Sequence, residues 1–386
     1  MTSEKIAIMG GNMFGRWIGG VGRLCIELAL LLRDKDYAIS LITNCPSVKN
    51  RVCQDFECYF LPNQIYDPSN FPRLISVLKK QNPDVIHIHA QIGAIPITVL
   101  LRKILKKPVV YTPVTLYPRM ASPSYHIERV VPLKHKVLGA CALDNIVCQS
   151  SYGRRFLIQQ GLPSEKIGFV AYGLRSDFLK PISDSFQLPE NTVLFWTFGS
   201  RERSFDLLLS AIPEVVKEIK GVQFVLALIN VEKDLQHRLF SLKEKTGKIT
   251  IAERLGLSDN YQVNLGLETF ELPLAQLIAA SDLVVLPYRT NPQEPPISLV
   301  ETMALGAPTI TSRLGANVEL FNHHSSLLIP PDDPKKLASA IVNALLHRKV
   351  CRKWAFQLRE FITKRYDRNI ALSSISKVYE ESMRGR

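Results

Sequence analysis

The chain has no apolar run of the roughly 18 to 20 residues that a membrane-spanning helix needs, so a spanning helix is not expected. Its opening, MTSEKIAIMGG, lacks a charged segment followed by an apolar one and runs straight into strand-like sequence. A cytoplasmic chain without a secretory leader is the expectation. The seven cysteines, Cys25, Cys45, Cys53, Cys58, Cys141, Cys148 and Cys351, are odd in number, scattered and never spaced as CxxC. That argues against a disulfide framework and against a zinc site, and leaves most of them as small buried hydrophobes. Acids are scarce in the first half only. Residues 1–180 hold 12 Asp+Glu against 23 Lys+Arg, a net of +11, whereas residues 181–386 hold 23 against 25, a net of +2. No basic-aromatic recognition module accompanies that charge, so nucleic-acid binding is not indicated.

What is present is enough apolar sequence, 46% of 386 residues, for two or three cores. Short β-rich runs (KIAIMG, AISLIT, DVIHIHA, PVVYTPV, NIVCQS) alternate with helical patterns (VGRLCIELALLLRDK, LISVLKK, IPITVLLRKILK, IERVVPLKHKVLGAC, YGRRFLIQQG), the order of a parallel α/β sheet. The alternation pauses in LRSDFLKPISDSFQLPEN and restarts with TVLFWTFG, VQFVLALIN and LVVLPY. The expected domains are therefore 1–180 and 181–362. Past residue 334 the pattern is helical, with a last helix at 363–386 expected to cross back onto the first domain. Two open sheets of this kind bind ligands at the carboxyl ends of their strands, so a cleft between the domains is where chemistry is sought.

Basic clusters in LLRKILKKP (Arg102, Lys103, Lys106, Lys107) and RVVPLKHK (Arg129, Lys134, Lys136) alternate with Leu, Ile and Val as amphipathic helices do. They point to an anionic partner, a membrane surface or an acidic substrate. One acid stands out for the opposite reason. Glu301 sits inside the apolar SLVETMALG, a short helix stopped by Gly306, where a buried carboxylate is costly without a partner.

Taken together, GGVGR, NPDVIHIHA, VVYTP, GLPSEKIGFVAYG, SRERSFDLLLSAI, SDLVVLPY, SLVETMALGAPTITS and LLIPPDDPKKLASAI occur in an order that resembles the retaining, nucleotide-sugar-dependent glycosyltransferases of family 4. The resemblance implies two Rossmann-like domains facing a cleft, the GT-B arrangement. It further implies transfer of a sugar from a nucleoside diphosphate sugar to a glycan, lipid-linked or small-molecule acceptor, with retention of configuration and with neither cofactor nor metal. The acceptor would lie mainly on the first domain and the donor on the second. Separately from the resemblance, the net charge of +11 on the first domain suits a lipid-linked or other anionic acceptor with peripheral contact at the inner membrane face, or serves solubility alone. Two other readings share the architecture: a nucleotide-sugar 2-epimerase, and a degenerate binding or scaffold protein.

Under the resemblance Glu301 accepts from the ribose hydroxyls of the donor, and the helix start at Pro296, Ile297, Ser298 and Leu299 receives the diphosphate. Arg201 and Arg203 in FGSRERSF stabilise the departing nucleotide. The family's first glutamate lies one residue further upstream than Glu294; only six residues separate Glu294 from Glu301, and Gln293 holds the strict position. Glu294 is taken as the sugar-facing acid and Gln293 as the alternative contact. Gly19, Gly20 and Gly22 approach the donor phosphates, with Arg16 and Arg23 as candidate anion contacts. His89, at the carboxyl end of DVIHIHA, is a candidate substrate contact, and His87 is the core member of the pair. Many relatives place a histidine where Val114 stands, which bears on acceptor chemistry. The DKD of Asp34 to Asp36 and the adjacent His323 and His324 are read as solvated surface, not metal sites.

Overall fold

A computed structural model of the chain describes residues 3–11, 13, 20–44, 55–63, 65–114, 142–179, 186–255, 259–266, 268–291, 294–321 and 327–385. Residues 129–141, which carry the second basic cluster, lie outside the described residues, as do Arg16, Gly19, Cys45, Cys53, Cys141, Gln293, His323 and His324. The chain forms two compact units: Met1–Leu174 with Pro292–Glu294 and Tyr366–Arg386, and Arg175–Asn291 with Pro295–Arg365.

The first unit is a seven-stranded sheet in the order β3-β2-β1-β4-β5-β6-β7. Its strands are β1 (Lys5–Met9), β2 (Ala38–Thr43), β3 (Glu57–Phe60), β4 (Val85–Ala90), β5 (Val109–Pro113), β6 (Asn145–Cys148) and β7 (Ile167–Phe169). Every pairing is parallel. Both faces are covered, which is why the strands read as continuous apolar runs. Ala7, Met9, Ile86 and Ile88 pack with α2 (Phe71–Gln81), α3 (Ile95–Leu105) and α4 (Ser151–Gln159). Ile6, Ile8, Val85, Val110 and Val147 pack with α1 (Gly20–Arg33) and with the last helix of the chain.

That last helix (Arg368–Arg384) starts at Asp367, whose carboxylate accepts from the amides of Asn369 and Ile370 at 2.8 and 3.0 Å. Arg368 pairs with Glu27 at 3.1 Å, Ser382 accepts from the Asn145 amide at 2.7 Å, and the Tyr379 hydroxyl lies 2.7 Å from His87 Nδ1. The amide of Leu174 donates to Tyr366 O at 3.1 Å, so the outgoing and returning chain segments are bonded to each other. The chain leaves the first unit at Leu174 and returns to it at Tyr366.

The second unit has eight strands in the order β12-β11-β10-β9-β8-β13-β14-β15. They are β8 (Thr192–Gly199), β9 (Gln223–Val231), β10 (Ile249–Arg254), β11 (Asn260–Asn264), β12 (Thr269–Pro273), β13 (Leu283–Leu286), β14 (Thr309–Ser312) and β15 (Leu328–Ile329). The pairings from β10 through β15 are parallel. At the other edge β11 pairs antiparallel with both β10 and β12. Buried Tyr261 and Val263 alternate there with outward residues, the period-2 pattern of an edge hairpin. The helices are α5 (Phe205–Glu218), α6 (Lys233–Thr246), α7 (Leu274–Ala280), α8 (Ile297–Ala304), α9 (Asn317–Leu320), α10 (Pro334–Leu346) and α11 (Arg348–Arg365), so the last helix is α12. Gly306, at φ 74°, takes the left-handed conformation that closes α8, and Arg359 of α11 donates to Ala304 O at 3.1 Å.

His87 is buried between the Tyr379 hydroxyl and the Thr112 hydroxyl, the latter 2.8 Å from Nε2. Replacing Tyr379 by Phe removes one side of that pairing and leaves a buried ring nitrogen unsatisfied. The expected loss is about 1 to 3 kcal/mol in urea unfolding, with the cooperativity of the transition unchanged.

Candidate functional site

In an open α/β sheet the strand order reverses at one point, and the loops diverge there to leave a crevice at the carboxyl ends. In the second unit that point is between β8 and β13, because α5 carries the chain from β8 toward β9 on one side while β13 and β14 lie on the other. Arg203 follows β8, Tyr288 follows β13, and α8 begins just after it, so three sequence elements converge on that crevice.

The turn after β8 is closed by backbone bonds from Arg203 N and Phe205 N to Ser200 O at 3.1 and 3.0 Å. Buried Ser204 sits at φ 57°. This turn separates the two arginines. Arg203 is half-buried, its guanidinium 5.9 Å from the Tyr288 ring centroid and 6.0 Å from that of Phe198. Arg201 is 54% exposed and pairs with Asp234 and, at 3.6 Å, with Glu232. The two cations expected to act together are thus differently engaged: one lies against the aromatic pair, the other in a surface ion-pair cluster.

Tyr288 is fully buried and its hydroxyl lies 2.5 Å from Ser298 Oγ. Burial pushes its pKa up to about 12, the Glu301 charge adds to this, and Arg203 and Ser298 oppose it. The hydroxyl is therefore neutral, and its hydrogen bond with Ser298 fixes the start of α8. Thr302 locks the next turn: its hydroxyl donates to Ser298 O at 2.7 Å and accepts from Trp196 Nε1 at 2.9 Å. At the helix start Pro296 is the N-cap, and a proline has no N–H to offer. Leu299 N is already turned to Pro296 O at 3.1 Å, and the Leu299 side chain is core. Of the four residues expected to receive a diphosphate, Ile297 and Ser298 carry the amides that helix geometry leaves without an intrahelical acceptor.

Glu301 is 1% exposed. Its Oε1 lies 3.7 Å from Nε of Arg175, a residue that sequence analysis did not single out. Arg175 also bonds Asp259 at 2.5 Å and lies over the Phe178 ring at 4.7 Å, while Arg254 holds the other oxygen of Asp259 at 2.7 Å. The buried acid is thus one end of an alternating chain of charges. The signal for a partner was the burial of Glu301 itself, which requires a cation; which cation is a tertiary matter. Arg289 was likewise missed. It bonds both oxygens of Asp206 at 3.2 Å and donates to Arg201 O at 2.8 Å, tying the loop after β13 to the turn after β8.

Glu294 is buried and falls within the first unit, where its charge adds to burial in raising the Tyr152 hydroxyl pKa. The two glutamates that sequence spacing pairs therefore belong to different units.

In the first unit the strand order reverses between β1 and β4. Gly10 follows β1 where a Cβ would lie 2.4 Å from Cys25 Sγ, too close for any side chain without a shift. Gly20 opens α1, Gly22 is buried in its first turn and Arg23 beside it is half-buried. His89 ends β4 at 4% exposure, its ring centroid 4.2 Å from that of His87. Neither ring nitrogen of His89 has a hydrogen-bond partner, nor does Oε1 of buried Gln149. Both side chains line a cavity of about 40 Å³ with Thr112, Tyr172 and Arg368. Burial lowers the His89 pKa to about 3. Val114 is buried and its amide donates to Ala90 O at 2.9 Å. Asp34 to Asp36 are exposed in a turn. Among the described residues no three His, Cys, Asp or Glu side chains form a metal-binding group, and no helix is long and apolar enough to cross a membrane.

These features define a two-unit α/β protein with a polar, cation-bearing crevice at the switch point of its second sheet. The model for Glycosyltransferase Family 4 matches residues 18–177, and that for Glycosyl transferases group 1 matches residues 190–347. The chain belongs to this family of glycosyltransferases and has the GT-B fold. HepE of Anabaena, solved in complex with UDP and glucose, is similar at 17% identity and a TM-score of 0.75, over 98% of this chain and 99% of that one. Sucrose-phosphate synthase from Thermosynechococcus elongatus is similar at 16% identity and a TM-score of 0.75, over 99% and 100%. A glycosyltransferase from Rickettsia africae is similar at 15% identity and a TM-score of 0.68, over 100% of both chains. No curated protein sequence matches the chain.

His89 supplies a test of the first unit. Its pKa is about 6.5 unfolded and about 3 folded, so the unfolded state binds the extra proton between those values. Its contribution to stability is complete above pH 6.5 and is lost as pH falls toward 3. Urea midpoints should decline over that window in the parent and decline less in His89→Phe.

Proposed function

We propose that the protein transfers a hexosyl group from a nucleoside diphosphate sugar to an acceptor hydroxyl with retention of configuration, the donor diphosphate lying at the start of α8. The observation that carries this reading is the placing of Arg203 and Ser298 against one buried tyrosine, Tyr288, at the switch point of the second sheet. A cation, the helix dipole and the amides of Ile297 and Ser298 there suit a diphosphate. Glu301 lies in the second turn of the same helix, and a carboxylate is the acceptor that suits the vicinal hydroxyls of a ribose. The solved complexes of HepE with UDP, UDP-glucose, and UDP and glucose support a nucleotide-sugar donor by similarity of fold.

In the reaction the bond between the anomeric carbon and the diphosphate oxygen breaks. The acceptor oxygen bonds to that carbon on the same face, and its proton passes to the departing diphosphate. Arg203 and the α8 amides stabilise the charge on that leaving group, which is what a divalent cation would otherwise do. Arg201, engaged by Asp234 and Glu232, has the lesser part. Glu294 and His89 are assigned to the sugar and acceptor side, Glu294 as the acid near the ring and His89 as a neutral hydrogen-bonding ring. The acceptor is a glycan, a lipid-linked molecule or a small molecule, met in the cytoplasm or at its membrane face.

Thermal melting with millimolar UDP, GDP and ADP and their sugar conjugates tests the donor site, because a ligand held only by the folded state raises the melting temperature, by about 2.7 kcal/mol of stability at 100 times its Kd. One nucleotide should stabilise the parent. Arg203→Ala and Glu301→Ala should each abolish most of that shift, whereas Arg201→Ala should keep it. No shift with any nucleotide would favour the degenerate scaffold reading, which Val114 also suits. Incubation with the stabilising sugar nucleotide then separates transfer from 2-epimerisation, which Tyr288 and Arg203 alone do not supply with an acid and a base.

A further inference from the structure

Residues 334–359 contain seven Lys or Arg and no acid. They make up α10 and most of α11; Arg348 and Lys349 fall in the first turn of α11, which carries no acid, and Arg352 and Lys353 in the second. Positive charge at a helix start opposes the helix dipole. By contrast, Arg102 and Lys103 lie in the last turn of α3, where they complement the dipole and need no further explanation. The α11 charges are only partly met from within the unit: Arg352 pairs with Asp282 at 2.7 Å, and Arg348 reaches Asp282 at 3.9 Å and Glu190 at 3.7 Å. Lys349 and Lys353 are exposed.

Between these lysines stand large apolar side chains. Val350 is 43% exposed, Phe356 58%, and Leu346, at the end of α10, 67%. At about 100° per residue, Lys349, Val350, Lys353 and Phe356 share an arc of about 120°. Cys351, Ala355, Leu358 and Ile362 take the opposite, buried side. We infer that this outward face of α11, with Leu346, docks on an anionic lipid surface, the apolar side chains entering the acyl boundary and Lys349 and Lys353 lying at the phosphates.

The composition favours lipid over protein. Stable protein interfaces are depleted in lysine and enriched in arginine at their centre. Here the arginines are turned to Asp282 and the lysines are outward. The apolar side chains are spaced between charges rather than gathered into one patch. Glu360, exposed one turn beyond Phe356, marks where the face ends. This inference is independent of the transfer reaction, since it concerns no residue of the crevice.

Co-sedimentation of the full chain with vesicles of phosphatidylcholine containing 30% phosphatidylglycerol, against phosphatidylcholine alone, tests it. The parent should partition to the anionic vesicles and fall away as salt is raised. The double variant Lys349→Glu/Lys353→Glu and the single variant Phe356→Asp, both at exposed positions, should each lose at least about tenfold in partitioning while melting like the parent. Failure of the parent to bind, equal binding to neutral vesicles, or binding that both variants retain but Leu100→Asp/Lys103→Glu in α3 loses, would overturn it. A Phe356-dependent dimer in sedimentation velocity without vesicle binding would overturn it too, giving the face to a second copy of the chain.

Discussion

A carboxylate at 1% exposure must be neutralised or protonated, and the second unit is organised around how Glu301 is met. Its partner, Arg175, is the first residue of that unit. The pair ties the first residue of the second unit to α8 of the same unit. Asp259 repeats the arrangement on the other side of Arg175, and Arg254 closes it. Each charge has an opposite neighbour, the condition under which buried ions are tolerated. Removing Arg175 would take a cation from both Glu301 and Asp259.

A second set of contacts holds the start of α8. Ser298 is held at its side chain by Tyr288 and at its carbonyl by Thr302, which Trp196 holds in turn. Tyr288 is in turn faced by Arg203. For the transfer proposed above, the start of α8 is thus held by its own neighbours, with Arg203 against the same tyrosine. Preorganised donors of this kind stabilise developing negative charge without reorganisation during the reaction.

Much of this was legible in the sequence because it rests on short-range rules. Alternation of apolar strands and amphipathic helices indicates two parallel α/β units, and Gly306 marks the end of α8. The edge hairpin β11–β12 escaped that reading because it follows its own period-2 pattern in a region of low apolar content. Glu301 was conspicuous because it broke an apolar helix pattern. Its partner was not, because Arg175 precedes it by more than a hundred residues and no local pattern links them. Arg201 and Arg203 look equivalent in FGSRERSF, yet a turn with Ser204 in the left-handed region sends them to different neighbours. Pro296 illustrates the converse: that it carries no amide hydrogen is plain from its identity, so the helix start offers fewer donors than a count of residues suggests.

Charge shows the limit of reading by halves. The excess in residues 1–180 draws attention to the first domain, and the near balance of residues 181–386 hides the 26-residue stretch at 334–359 that has seven cations and no acid. Net charge sums over a whole surface, but a helix presents only the residues within its outward arc. In α3 the cations of the last turn answer to the dipole of their own helix; in α11 they oppose it. Charge that lowers the energy of its own helix has a sufficient cause in the fold. Lys349, placed against the dipole, and Lys353, one turn on, are turned outward among Leu346, Val350 and Phe356 and find theirs in something negative outside the fold.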